Sequence, residues 1–159
     1  MRSSRGEWEY NSRSEDVKQM SKVAVVYWSG TGNTEAMADA VMEGSSSAGY
    51  ETEKIEAGNF TADQVKDYDA IAFGCPAMGS EELEDSEVEP MFSDVEGNLK
   101  DRRIALFGSY GWGDGEWMRN WEERAKKDGA VLTHDSVICE ETPDEDALKA
   151  CRELGKSLV

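Results

Sequence analysis

Three short, continuously apolar runs punctuate the chain: Lys22–Trp28 (KVAVVYW), Asp69–Cys75 (DAIAFGC) and Arg103–Gly108 (RIALFG). A run that is apolar at every position, not at alternate ones, is what a strand covered on both faces requires. Between these runs the apolar residues recur at helical spacing. Asn33–Ser47 carries Met37, Val41 and Met42, and a later segment carries Met91, Phe92, Val95 and Leu99 behind Pro90, which the first turn of a helix tolerates. Glu116–Lys127 places Trp117, Trp121 and Ala125 on one face. Tyr50–Glu56 reads as a further strand, and Ala130–Leu132 with Val137–Cys139 share a fifth strand region. Thr61-Ala62-Asp63-Gln64 has capping-box spacing for a short helix. Thr142-Pro143-Asp144-Glu145 reads as the start of the last helix, with Thr142 as its N-cap, burying Leu148, Cys151, Leu154 and Leu158. Five strands and about five helices in alternation predict an α/β fold, a doubly wound five-stranded parallel sheet with helices on both faces. Ligands of such sheets bind beyond the carboxyl ends of the strands, so the chemistry is sought there.

Charge narrows the choice. The 159 residues hold 34 acids and 17 bases, a net charge of −17. A chain this acidic, without a basic block, is no candidate for nucleic acid or an anionic membrane. Residues 1–21 are neutral, polar and without periodicity, and are expected to form a flexible extension. Met20 directly precedes the first apolar run and could be a native start. Residues 22–159 are then one domain and carry the whole net charge. The longest apolar run, Val23–Trp28, is too short to span a bilayer, and the N-terminus lacks the apolar core of a secretory signal. Cys75, Cys139 and Cys151 are odd in number and far apart, which suits structural thiols in a reducing cytoplasm and offers no metal site. The single histidine, His134, lies among Thr133, Asp135 and Ser136 and reads as surface. No residue is assigned a catalytic role, and a chain so short of general bases is expected to rely on a cofactor.

Three strand exits define that cofactor. The first is Ser29-Gly30-Thr31-Gly32-Asn33-Thr34, entering a helix. Its glycines allow a tight turn, and its hydroxyls, amide and helix N-terminus make a phosphate cradle. It lacks the Gly-Lys-Ser/Thr of a Walker loop, and Glu35 stands where a dinucleotide fingerprint has its third glycine. No Lys or Arg occurs from Val23 to Glu53, so the phosphate is held by neutral donors. The second exit is Cys75 followed by Pro76-Ala77-Met78-Gly79-Ser80-Glu81. A phosphatase Cys-x5-Arg loop would need Arg where Glu81 stands. Met78 is a polarizable plate for a ring system, and Gly79 can take positive φ and reorient its peptide cheaply. The third exit is Ser109-Tyr110-Gly111-Trp112-Gly113-Asp114-Gly115. Alternating glycines around Trp112 present the indole outward to stack on a flat ligand. A flat ring bearing one phosphate describes FMN.

The segments YWSGTGNTE (Tyr27–Glu35), GCPAMGSEELEDS (Gly74–Ser86), VEPMF (Val88–Phe92) and ALFGSYGWGDGEWM (Ala105–Met118) closely resemble short-chain flavodoxins of the clostridial and anaerobe type. The resemblance covers residues 22–159. It implies a flavodoxin-like sheet of order 2-1-3-4-5 and noncovalent FMN. It also implies a low-potential one-electron carrier, working between semiquinone and hydroquinone and replacing or resembling ferredoxin. By the same resemblance Ser29, Thr31, Asn33, Thr34 and Ser109 would hold the phosphate, Met78 and Trp112 would cover the two flavin faces, Gly79 would turn its carbonyl to flavin N5–H, and Glu81 would accept from N3–H. Two regions depart from the family. Pro76 removes a hydroxyl and an N–H often found there, and Glu140 and Glu141 stand where an amide is common. Glu81–Glu89 (EELEDSEVE) holds six acids and no base. It reads as a solvated helix start or as a docking surface for basic redox partners, and both can hold; the carrier is expected to be a monomer. An NAD(P)H-dependent FMN or quinone reductase on the same fold is the alternative. A signalling receiver domain is set aside, because its acidic exits are replaced by Trp28-Ser29 and Cys75-Pro76.

Overall fold

The computed structural model describes residues 21–79 and 81–159. The expected extension over 1–21, Ser21 apart, lies outside the described residues, as does Ser80. The elements follow the expected alternation. They are β1 (Lys22–Tyr27), α1 (Asn33–Ser47), β2 (Glu51–Glu56), β3 (Ala70–Gly74), α2 (Val88–Val95), β4 (Arg103–Tyr110), α3 (Glu116–Lys127), β5 (Val131–Leu132), β6 (Val137–Glu140) and α4 (Glu145–Lys156).

All pairings are parallel and the order is β2-β1-β3-β4-β5, with β6 also on β4. This is the order that the resemblance implied. The fifth position is two strands in series. β5 pairs with Arg103 and Ile104, and β6 pairs with Phe107 to Tyr110. Between them the polar stretch Thr133–Ser136 leaves the ladder after Thr133 N–H donates to Ile104 O (3.0 Å).

Successive strand residues point to opposite faces, and both faces are covered, which is why the runs are apolar throughout. On one face Ala24, Val26, Ile71, Phe73, Ile104 and Leu106 meet α2 and α3. There Phe92 stands edge-on to Phe73 (5.4 Å, 87°) and to Trp121 (5.7 Å, 80°). Each such side chain contributes roughly 1.5–3 kcal/mol by burial. On the other face Val23, Val25, Ala72 and Phe107 meet Met37 and Val41 of α1 and Cys151 and Leu154 of α4. A Cβ on Gly155 would lie 2.1 Å from Val41 O, so α1 and α4 touch backbone to backbone, and Ser45 Oγ donates to Gly155 O (3.0 Å).

α2 and α3 are clasped by one guanidinium. Arg124 donates to both oxygens of Glu89 (2.9 and 2.8 Å) and both of Glu96 (2.9 and 3.0 Å), and lies 5.0 Å from the Phe92 ring centre.

Several boundaries differ from expectation. α2 stops at Val95, and a 3-10 turn at Glu96–Asn98 carries the chain to Leu99, because Gly97 and Asn98 are poor helix formers. The capping box at Thr61 and Gln64 is present, on a 3-10 segment (Ala62–Asp67). The N-cap of α4 is Asp144, whose Oδ1 accepts from Ala147 N–H (2.9 Å), in place of Thr142. The Asp144 carboxylate takes the free N–H of the first turn, so the helix starts after Pro143, at Glu145. Leu148 is half-buried, not buried. Among the described residues no helix is long and apolar enough to cross a membrane.

Candidate functional site

The carboxyl ends of β1, β3 and β4 bring the three loops to one edge of the sheet. The ladder runs on a little way into them: Trp28 N–H donates to Gly74 O (3.1 Å), Cys75 N–H to Phe107 O (3.1 Å) and Ala77 N–H to Ser109 O (3.0 Å). The loops therefore stand on a fixed base.

In the first loop Gly32 takes φ 98 and is the N-cap of α1. Ser29 Oγ accepts from Gly32 N–H (3.0 Å) and Thr31 Oγ1 from Asn33 N–H (3.4 Å). α1 has no side-chain cap, and its first backbone bond runs from Ala36 N–H to Gly32 O (3.0 Å). The N–H groups of Thr34 and Glu35 thus have no partner among the described residues. Thr34 and Ser109 are buried, and their hydroxyls meet across the loops at 3.3 Å. The nearby cation is already paired. Lys54 Nζ lies 2.8 Å from Asp39 and 2.9 Å from Glu35, and these bonds raise its pKa and lower that of Glu35.

In the second loop Met78 and Glu82 exchange backbone hydrogen bonds (3.0 and 3.3 Å) around a three-residue turn. Among the described residues of that turn Glu81 takes positive φ (55) and Gly79 does not. The third position of a three-residue hairpin loop calls for that conformation. A Cβ on Gly79 would meet nothing within 4 Å. Glu81 Oε1 accepts from Glu116 N–H (2.9 Å) and so caps α3, and its carboxylate lies against Gly113. Burial pushes the Cys75 thiol up to about 12. It stays protonated and is no nucleophile.

In the third loop Gly113 (φ 87) and Gly115 (φ 93) take positive φ, and Gly115 is the N-cap of α3. Trp112 is 61% exposed and Met78 36%, while Trp117 behind them is buried and donates to Cys75 O (3.1 Å). Arg119 holds Asp114 through its carbonyl and carboxylate (both 3.0 Å).

The loops line an open cleft of about 220 Å³. Gly30, Thr31, Asn33, Pro76, Ala77, Met78, Ser109, Tyr110 and Gly111 line it, all named from the sequence. Ser29, Gly32, Thr34, Gly79, Glu81, Trp112, Gly113 and Asp114 stand on the same loops outside that lining. Trp28 also lines the cleft and was not assigned to the site, because it reads as the apolar end of β1. Glu141 is the other added wall. It takes φ 61, and its N–H donates to Tyr110 O (2.8 Å). No group of three or more metal-ligating side chains occurs among the described residues.

A doubly wound parallel sheet whose strand exits offer an uncapped helix N-terminus, neutral hydroxyls and exposed apolar side chains defines a mononucleotide-binding α/β protein. Comparison with known proteins makes this specific. The flavodoxin family model matches residues 25–155. Flavodoxin from Megasphaera elsdenii is 47% identical over 135 residues, covering 85% of this chain and 96% of that protein. Flavodoxin from Clostridium beijerinckii is 42% identical over 135 residues, covering 85% and 97%. The solution structure of two-electron reduced Megasphaera elsdenii flavodoxin superposes with a TM-score of 0.80 at 48% identity, covering 86% of this chain and 97% of that one. The chain belongs to the flavodoxin family and is of its short-chain type. It is an FMN-binding electron-transfer protein, not the reductase considered as the alternative.

Proposed function

We propose that the three loops hold FMN and that the protein works as a low-potential one-electron carrier, monomeric and cytoplasmic, for partners with basic docking surfaces. The observation that carries this reading is the uncapped N-terminus of α1 beside neutral hydroxyls, in a cleft flanked by exposed Met78 and Trp112. A terminal phosphate suits the N–H groups of Thr34 and Glu35, and a flat apolar ring suits Met78 and Trp112. Ser29, Gly30, Thr31, Gly32, Asn33, Thr34 and Ser109 form the phosphate end. Pro76, Ala77, Met78, Gly79, Ser80 and Glu81 form one wall, and Tyr110, Gly111, Trp112, Gly113 and Asp114 the other. FMN supplies the one-electron chemistry.

The chain's own residues set how hard that electron is to add. Lys54, the cation bonded to the first turn of α1, is committed to Glu35 and Asp39. Glu82, Asp85, Asp114 and Glu116 are exposed around the rim. A unit of like charge about 4 Å away costs about 1–4 kcal/mol, and about 1.4 kcal/mol is about 59 mV for one electron. The rim therefore lowers the second potential. The three cysteines are free thiols, in keeping with a reducing compartment.

A stepwise dithionite titration followed in the visible tests this. The expected result is a yellow protein reduced in two resolved one-electron steps, the second at strongly negative potential. A protein that binds no FMN after gentle purification overturns it.

A further inference from the structure

Glu84 is the only charged side chain that is buried among the described residues, 4% exposed. Its carboxylate accepts from Ser86 N–H (2.8 Å), Glu87 N–H (2.8 Å), Val88 N–H (3.0 Å) and the Ser86 hydroxyl. No cation among the described residues pairs with it. Desolvation opposes its charge, and the bonds from Ser86, Val88 and Glu87 outweigh it, holding the carboxyl below its ordinary value. An exposed Ser or Asp beside α2 would cap that helix at less cost than a buried carboxylate. The place of Glu84 in the chain explains the choice. It lies two residues beyond Glu82, which closes the Met78–Glu82 turn of the cleft wall. Its own N–H donates to the Cys75 thiol (3.4 Å) at the exit of β3, and its carbonyl accepts from Glu89 N–H (2.9 Å). The outgoing leg of the same loop is fixed by Ala77 N–H on Ser109 O (3.0 Å).

We propose that Glu84 is a positioning residue for the cleft. It pins the returning leg of the Pro76–Glu82 wall to both β3 and α2, and so fixes where that wall stands against the cleft. The proposal rests on that wall being part of the FMN site. Cys75, whose thiol takes the Glu84 N–H, is the second pin, which gives this buried thiol a structural task.

The test compares Glu84→Ala with Glu84→Gln, which keeps an acceptor oxygen and loses the charge. In the apoprotein, amide exchange at Met78 and Glu82 is expected at least about 10-fold faster in Glu84→Ala. In the loaded protein FMN dissociation constants rise by at least about 10-fold, and the gap between the two one-electron potentials narrows. Glu84→Gln recovers most of the exchange protection and of the gap. A Glu84→Ala protein with a lower melting temperature but unchanged exchange, FMN affinity and potential gap overturns the proposal. So does an equal shift of the second potential in both variants without faster exchange, which assigns Glu84 to charge instead of position. If Glu84→Ala does not fold, Ser86→Ala removes one bond from an exposed residue. Faster Met78 and Glu82 exchange then supports the proposal, and wild-type exchange overturns it. Failure of the wild type to bind FMN strikes the functional reading alone, because the apoprotein exchange still tests Glu84.

Discussion

At Trp112 the chain gives up burial. Trp117 and Trp121, a few residues on, are fully enclosed, yet Trp112 stands 61% exposed between glycines. An indole contributes nothing to the core from there, and in the proposed site its contribution would fall on the bound state. Trp112→Ala is expected to weaken FMN binding about 10-fold, about 1.4 kcal/mol, and to raise the second potential. Fluorescence titration of the apoprotein measures the first, and an unchanged affinity means that Trp112 does not stack. Gly108 makes the opposite kind of demand. A Cβ there would lie 2.0 Å from Cys75 O, where β4 passes the root of the second loop. Gly108→Ala is expected to destabilise the apoprotein by about 1–3 kcal/mol in urea unfolding and to weaken FMN binding by displacing that root.

The helices that follow the second and third loops are locked together by Arg124, and the lock carries a strained member. Asp128, at the end of α3, is pushed up to about 6 by burial first and then by the Glu96 carboxylate beside it. Glu89 and Glu96 are held low by their bonds to Arg124. These act with opposite sign on stability. Ionisation of Glu89 and Glu96 favours the folded state, so stability rises with pH through the acid range below about 4.5. Asp128 binds its proton more tightly folded than unfolded, so from about pH 4 to above pH 6 it makes stability fall as pH rises. Asp128→Asn should remove about 1 kcal/mol of that fall in urea unfolding measured at pH 4.5 and 7.5. An identical loss in both proteins assigns it to other groups.

The clasp also marks what sequence can carry at this scale. Strands such as DAIAFGC are legible because burial on both faces leaves a pattern within a few residues. The cradle is legible for the same reason, since its hydroxyls and glycines are neighbours in sequence. Glu81, Glu84 and Glu89 sit in one acidic run and look alike there. In the fold Glu81 caps α3, Glu84 is buried and caps α2, and Glu89 binds Arg124. Those partners are set by tertiary approach, which no local spacing encodes. Trp28 and Glu141 joined the cleft in the same way, through loop positions fixed only by the assembled sheet.

For the whole molecule the question is whether a net charge of −17 acts as a total or as a pattern. The fold gathers several cations at one end. Lys22 and Arg103 open β1 and β4, and Lys126, Lys127 and Lys156 close α3 and α4, all at the end of the sheet away from the cleft. Glu82, Asp85 and Glu116 are exposed at the cleft end. On the proposed function a positive partner would be drawn to the end where electrons leave, through a field that salt screens over about 10 Å at 0.1 M. Electron transfer to a basic acceptor protein, followed by stopped flow, is expected to slow about 10-fold or more between low and near-physiological ionic strength. The variant Glu82→Gln/Asp85→Asn/Glu116→Gln should flatten that dependence. Asp63→Asn/Asp67→Asn, in the 3-10 segment before β3 and so at the far end, should leave it nearly unchanged. Equal flattening per charge removed at both ends would mean that the acidity acts only as net charge, serving solubility and not the choice of partner.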